Sequence, residues 1–217
     1  MTYESHADLG GQEGHGAVIP EAEGVLFHAD WERMALAVTL AMGATGTWNI
    51  DESRGIRETL PGYSSLTYYE IWIKGLIELL KKHSLVSGDE IAVGAMLHPA
   101  RPVKRVLRAA DVPVVLAKGS PTLRVTGLQP RFTVGDHVVT RAAPVDHHTR
   151  LPAYARGKRG RIAAVYGAHV FADTHAQGLG EQPQYLYNVE LTAAELWGAG
   201  DFTVAIDAWE PYLEPAP

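Results

Sequence analysis

A chain of 217 residues with 46% hydrophobic and 20% charged residues can bury one good core or two small ones and has the balance of an ordinary soluble globular protein. It contains no cysteine, which removes disulfides, thiolate ligands and thiol nucleophiles and fits a reducing compartment. The net charge of −6 is uneven: residues 1–97 hold 6 Lys/Arg against 14 Asp/Glu, residues 98–131 hold 7 against 1, and residues 132–217 hold 6 against 10. Acidic ends disfavour a broad phosphate-binding footprint, so nucleic acid is not an expected partner. No apolar run approaches the roughly 20 residues that cross a bilayer. The start MTYESHADLGG lacks the layout of a secretory signal, and the expectation is a cytoplasmic protein with no membrane contact.

In chain order, Gly10, Gly11, Gly14, Gly16 and Pro20 make the first twenty residues an extended arm. A helix is expected from Val25 to Ala44, with Asp30 as N-cap before Trp31. Met34, Leu36, Val38, Leu40 and Met42 leave it no polar face beyond the first turn, which calls for cover from another subunit as well as its own core. A second helix begins near Ile50 and stops before Pro61-Gly62. A third runs from about Leu66 to His83, its Tyr69, Trp72, Ile73, Leu76, Ile77 and Leu80 at the spacing of one face, closed by Lys81, Lys82 and His83. Ser87 and Glu90 have capping-box spacing for a fourth helix, IAVGAML.

Residues 98–130 carry five prolines and most of the basic excess, which is linker composition, interrupted by a short helix from Asp111 to Lys118. Beyond a boundary near Gly127 the periodicity changes to that of strands. FTVGDHVVTR, GRIAAVYGAHVFA, YLYNVEL and FTVAIDAWEPYLEP alternate apolar and polar residues and are punctuated by turn formers. Helices first and strands second give an α+β class with segregated parts and a small antiparallel barrel or roll at the end.

No self-contained active site is legible. There is no Gly-x-Ser-x-Gly elbow, no phosphate loop and no His-Glu-x-x-His, and the adjacent His147 and His148 point in different directions from the backbone. What stands out is a set of cations and aromatics. His147–Ile162, HHTRLPAYARGKRGRI, packs Arg150, Arg156, Lys158, Arg159 and Arg161 into sixteen residues. Arg54 lies mid-helix in DESRGIRE, where Asp51 or Glu58 one turn away is a local partner and an oxyanion is the alternative. Tyr68, Tyr69 and Trp72 suit either a core or the wall of a site for a small neutral molecule.

Seven stretches in order, HADLGGQEGHG, FHADWE, TYYEIW, FTVGDHVVTR, HTRLPAYARGKRGRI, GLGEQPQYLYNVELTAAELWG and DAWEPYLEP, together resemble the beta subunit of nitrile hydratase over nearly the whole chain except 95–128. The resemblance implies an α+β fold: residues 1–97 as arm and helical domain, 98–130 as basic linker, and 131–217 as a small SH3-like antiparallel β-barrel or roll. It implies an obligate alpha-subunit partner, in an αβ or α2β2 assembly that adds water to a small nitrile to give an amide. The cofactor implied is non-corrin cobalt or non-haem iron, held in a cysteine loop of the alpha subunit with two cysteines oxidised to sulfinate and sulfenate. This chain would bind no metal or cofactor itself.

By the same resemblance Arg54, in Asp51-Glu52-Ser53-Arg54, and Arg150, in His148-Thr149-Arg150, hydrogen-bond the oxidised sulfurs. Glu58 and His148 match a supporting polar network, and Tyr68 and Trp72 match pocket positions, with Ile50 and Ser53 where other pocket residues stand. Trp72 points towards the cobalt group. The sequence departs from some members at Ile71, where they have histidine, and at Ser53, where they have an aromatic. Two other readings remain: a subunit of the related thiocyanate hydrolase, against which the unbroken run of motifs speaks, and a small-barrel nucleic-acid module, which VGDHVV and RGKRGRI also resemble.

Overall fold

The computed structural model describes residues 2–217, which divide into two compact units: residues 4–119, and residues 120–217 joined by the first residues of the chain up to Tyr3. The first unit is helical. Its elements are α1 (Asp30–Gly43), α2 (Ile50–Glu58), α3 (Tyr68–Lys82), α4 (Gly88–Val93) and α5 (Val112–Lys118). Helix α3 is the hub, packed by both α1 and α2, and Ala35, Leu60, Leu76 and Leu79 form its buried apolar centre. The arm ahead of α1 has no regular structure, and His6 fastens it by donating its amide to the Glu58 carbonyl at 2.7 Å.

Two helix ends differ from expectation, and in each a glutamate decides. Helix α1 starts at Asp30, which is therefore its first residue and not its cap. The buried carboxylate of Glu32 reaches back to the amides of His28, at 2.6 Å, and Ala29, at 3.4 Å, and satisfies the orphan donors in place of Asp30. Helix α4 stops at Val93, well short of Leu97, because Gly94 at φ +66° turns the chain out of helical geometry. Glu90 then collects the amides of Ser87, Leu97 and His98 on its carboxylate, at 2.9, 3.0 and 3.1 Å. The four residues 94–97 are consequently a return loop.

The second unit is built on one antiparallel sheet in the order β4-β3-β2-β1-β5. Its strands are β1 (His137–Thr140), β2 (Arg159–His169), β3 (Gln184–Thr192), β4 (Thr203–Trp209) and β5 (Leu213–Pro215). Each lies within the stretch where alternation predicted it, apart from one-residue extensions at Arg159, Gln184 and Thr192. Two short helices, α6 (Ala172–Ala176) and α7 (Ala193–Trp197), fill the β2–β3 and β3–β4 connections and have no counterpart in the sequence reading. Register shifts in β2 between Ile162 and Ala164 and between Val165 and Gly167 increase its twist and bend. The core is Phe132, Val138, Ile162, Tyr187, Val189, Leu191, Ile206, Tyr212 and Leu213. Residues 120–130 lead into the sheet: Leu123 bridges to His169, and the Arg124 amide donates to the Ala168 carbonyl at 2.8 Å. The edge strands β4 and β5 are consecutive in the chain, joined only by residues 210–212.

Candidate functional site

Within the helical unit, α2 and α3 carry Arg54, Glu58, Tyr68 and Trp72. Asn49 caps α2, its side chain accepting from the amides of Asp51 at 3.0 Å and Glu52 at 2.9 Å. The three polar residues that follow are used differently. Asp51 is buried and takes the Arg54 guanidinium at 3.1 Å, the nearer of the two local partners the sequence offered. Glu52 turns to the end of α3, where Lys82 at 2.7 Å and His83 at 2.9 Å meet one of its oxygens. Ser53 is buried and its carbonyl accepts from Arg57 Nε at 3.2 Å. Arg54 keeps 45% of its side-chain surface open, so Asp51 orients the guanidinium without using it up. Glu58 ends the helix.

Helix α3 opens with a capping box: Thr67 Oγ1 accepts from the Glu70 amide at 3.4 Å and the Glu70 carboxylate accepts from the Thr67 amide at 2.8 Å. That start sets an aromatic group on the first turn. Tyr68 meets Tyr69 edge-on at 5.1 Å and Trp72 at 5.6 Å, and Phe27 stacks on Tyr69 at 5.4 Å. Tyr68 remains 63% exposed and Ile50 46%. These aromatics form a displayed cluster rather than a sealed core.

Within the sheet unit, His148 and Arg150 sit in the connection between β1 and β2, which the sequence singled out for its cations. The side chain of Arg150 is exposed while its backbone is fixed: its amide donates to the Tyr212 hydroxyl at 3.1 Å, and Leu151 next to it is core. Tyr212 is fully buried and donates its hydroxyl proton to Asp173, itself 2% exposed. Arg141 at 3.8 Å and His147 at 3.7 Å complete the charge around that carboxylate. Burial pushes the Asp173 carboxyl up, and the Tyr212 hydrogen bond, His147 and Arg141 offset only part of this. Burial and the neighbouring Asp173 raise the Tyr212 phenol, which keeps it a donor. His148 is buried, with Nδ1 3.2 Å from the Tyr3 hydroxyl.

The other four residues that carry the cations of the stretch are tied into the unit, three by side chain and Arg159 by its amide. Lys158 Nζ donates to the Glu195 carbonyl at 3.1 Å, the Arg159 amide to the Glu195 carboxylate at 2.9 Å, Arg161 to Glu190 at 2.7 Å and Arg156 to the Leu151 carbonyl at 3.4 Å.

Sequence reasoning missed Asp173 and Tyr212, which are 39 residues apart and meet only through the sheet. It also missed Arg57, whose signal was available as a second arginine one turn after Arg54. Among the described residues, no group of three or more His, Asp or Glu is placed to hold a metal ion.

The helical unit thus presents Arg54 beside an aromatic cluster, and the sheet unit presents Arg150 beside the buried His148. Comparison with known proteins names the class. The families described as nitrile hydratase beta subunit, N-terminal and C-terminal, match residues 3–112 and 121–215. The low-molecular-weight cobalt-containing nitrile hydratase subunit beta of Rhodococcus rhodochrous is 37% identical over 96% of this chain and 98% of its own length. The nitrile hydratase subunit beta of Pseudomonas putida is also 37% identical, over 96% of this chain and 98% of its own. The cobalt-containing nitrile hydratase subunit beta of Pseudonocardia thermophila is 33% identical over 95% of this chain and 94% of its own length. The chain belongs to the nitrile hydratase beta subunit family. A solved thiocyanate hydrolase chain from Thiobacillus thioparus, 25% identical, superposes over 55% of this chain and all of its own at a TM-score of 0.42, too loose a likeness to weigh.

Proposed function

We propose that this chain, with an alpha subunit that carries the metal, forms an αβ or α2β2 enzyme that hydrates small nitriles to amides. The observation that carries the reading is the pairing of a full-length family match with two arginines held in place locally, Arg54 by the Asp51 carboxylate and Arg150 through its amide on the Tyr212 hydroxyl. Two of the relatives are named cobalt-containing, and this chain offers neither cysteine nor, among the described residues, a cluster of metal-binding side chains. We therefore assign cobalt to the alpha subunit, with iron as the alternative. When bound there the ion supplies Lewis-acid activation of the nitrile or of water.

The residues of this chain do the positioning. Arg54, aimed by Asp51, and Arg150, on the loop tied to Tyr212, donate to the oxidised cysteine oxygens of the alpha subunit and offset their charge. Their planar donor forks suit a two-oxygen acceptor. Glu58 and His148 support that polar network. Tyr68 and Trp72 line the substrate pocket, with Ile50 and Ser53 beside them, and they present apolar walls with one hydroxyl to a neutral, linear functional group.

Three structural readings accompany this one. The division into arm and helical domain (1–97), linker (98–130) and barrel (131–217) stands as a proposal. So does an SH3-like roll for the sheet. It is supported by edge strands joined through residues 210–212. A flat five-stranded sheet would hold its edges about 19 Å apart, whereas so short a link spans at most about 14 Å. A cytoplasmic location rests on the cysteine-free composition.

The test is co-expression with a nitrile hydratase alpha subunit, followed by assay of amide formation from a nitrile and of carbonyl sulfide release from thiocyanate. Amide formation by the pair, and by neither chain alone, is the expected result. Carbonyl sulfide in its place would move the chain to the thiocyanate branch.

A further inference from the structure

We propose that Arg57 is a positioning residue that determines substrate preference by locking the ring of Trp72. The inference rests on the reading that Trp72 lines the nitrile pocket. Its own basis is the packing of α2 on α3. The guanidinium carbon of Arg57 lies 5.2 Å from the centroid of the Trp72 ring, within cation–π range. The same side chain is held from behind, because Nε donates to the Ser53 carbonyl at 3.2 Å. A planar cation fixed at one nitrogen and laid on an indole has little freedom left, and the indole shares that loss.

Gly75 gives an independent sign that this contact is built in. It is buried in the middle of α3, where glycine costs about 1 kcal/mol relative to alanine. A Cβ placed there would lie 2.4 Å from Arg57 Cγ and 3.3 Å from its Cδ. The glycine is thus the groove through which the arginine stem reaches the tryptophan. Tyr68 at 5.6 Å and Tyr69 at 6.2 Å confine the same ring from the other residues of the turn. Burial of Arg57 and the charge of Arg54 both weaken its hold on its proton, yet a guanidinium remains charged, and the ring face and the Ser53 carbonyl compensate it.

A nitrile offers no charge for a pocket to grip, so discrimination among nitriles falls to the shape of the walls. Freeing the Trp72 ring should weaken the fit of a small aliphatic nitrile and relax the exclusion of a bulky one, while leaving the chemistry at the metal largely alone. Lysine has no planar face and cannot hold both the carbonyl and the ring, so it should substitute only in part.

The experiment uses the assembled two-subunit enzyme with acetonitrile and benzonitrile as probes. For Arg57→Gln, the KM for acetonitrile should rise about five- to ten-fold, with kcat changed by less than about two-fold and the preference shifted towards benzonitrile. Gly75→Ala, which displaces the stem with the arginine still present, should reproduce the shift, and Arg57→Lys should fall between. In a Trp72→Phe background Arg57→Gln should add nothing further. If Trp72→Phe shifts the preference and neither Arg57→Gln nor Gly75→Ala does, the proposal is wrong while the pocket reading stands. If Trp72→Phe itself leaves the preference unchanged, the pocket reading fails and this inference with it. A lowered Tm in the Arg57 and Gly75 variants with an unchanged KM ratio would mean a merely structural contact, and would also overturn it.

Discussion

Arg54 and Arg150 solve the same problem by different local means. Arg54 leans on a carboxylate three residues back that is itself buried at the first turn of a capped helix. Arg150 is placed through its backbone, by a phenol that a buried carboxylate holds in turn. The first fixes a guanidinium and the second the backbone that carries one, and each lowers the ordering cost of a charge-assisted contact. Replacing either by lysine keeps the charge and loses the fork, and turnover of the assembled enzyme should fall ten-fold or more, on the order of 1.4 kcal/mol. Unchanged turnover in both lysine variants would show that the wrong arginines had been chosen. The support beneath Arg150 has a pH signature of its own. Because burial raises the folded-state value of Asp173, its contribution to stability is fully present below the ordinary aspartate range and is lost as pH rises through the raised value. Relative to Asp173→Asn, the unsubstituted protein should therefore lose stability as pH climbs out of the ordinary aspartate range. Urea midpoints that run parallel for the two proteins across that range would refute the assignment.

Elements were legible where their cause was local. The one-face spacing of Tyr69, Trp72, Ile73, Leu76, Ile77 and Leu80 announced α3, the capping-box spacing of Ser87 and Glu90 announced α4, and period-two alternation announced the strands of the sheet. What escaped was decided by groups brought from elsewhere, as when the Glu32 carboxylate took over the start of α1, or by single glycines such as Gly94. The candidate site divides the same way. Arg54, Arg150, Tyr68 and Trp72 were found through motif likeness, whereas Asp173, Tyr212 and Arg57 act through tertiary contacts that no short pattern encodes. The α4 return loop offers a test at this scale. Three backbone amides and the Ser87 hydroxyl hold the Glu90 carboxyl down to about 2. A depressed value means the clamp is in force above the ordinary glutamate range and is lost as pH falls from there towards about 2. Glu90→Gln keeps the size and removes the charge, so the amides of Leu97 and His98 should exchange with deuterium several-fold faster at neutral pH, while Leu79 in the helical core stays protected. Equal exchange at both amides in the two proteins would mean the loop is held by something else.

Taken whole, the chain shows an excess of apolar surface that its own fold does not use. Val18, Ile19 and Leu26 in the arm, Met34 on α1, Met96 and Val106 beyond α4, Val114 and Leu116 on α5 and Leu123 and Val125 on the way into the sheet are all more than half exposed. Helix α1 buries only Glu32 and Ala35, although the sequence gives it almost no polar face. Scattered apolar residues are normal on a surface, but a run of them through arm, helices and connections is what a chain shows when its partner is missing. Membership of a family of enzyme subunits supplies the reason, since a large shared interface would cover such groups and make folding stability a property of the pair. Purified alone, the chain should bind a hydrophobic dye, aggregate at micromolar concentration and hydrate no nitrile. Mixed or co-expressed with its alpha subunit it should lose dye binding, stay in solution and unfold at a Tm that rises with protein concentration. A monodisperse single chain with no dye binding, or one that turns a nitrile into an amide unaided, would contradict the claim that its surface is an unfinished interface.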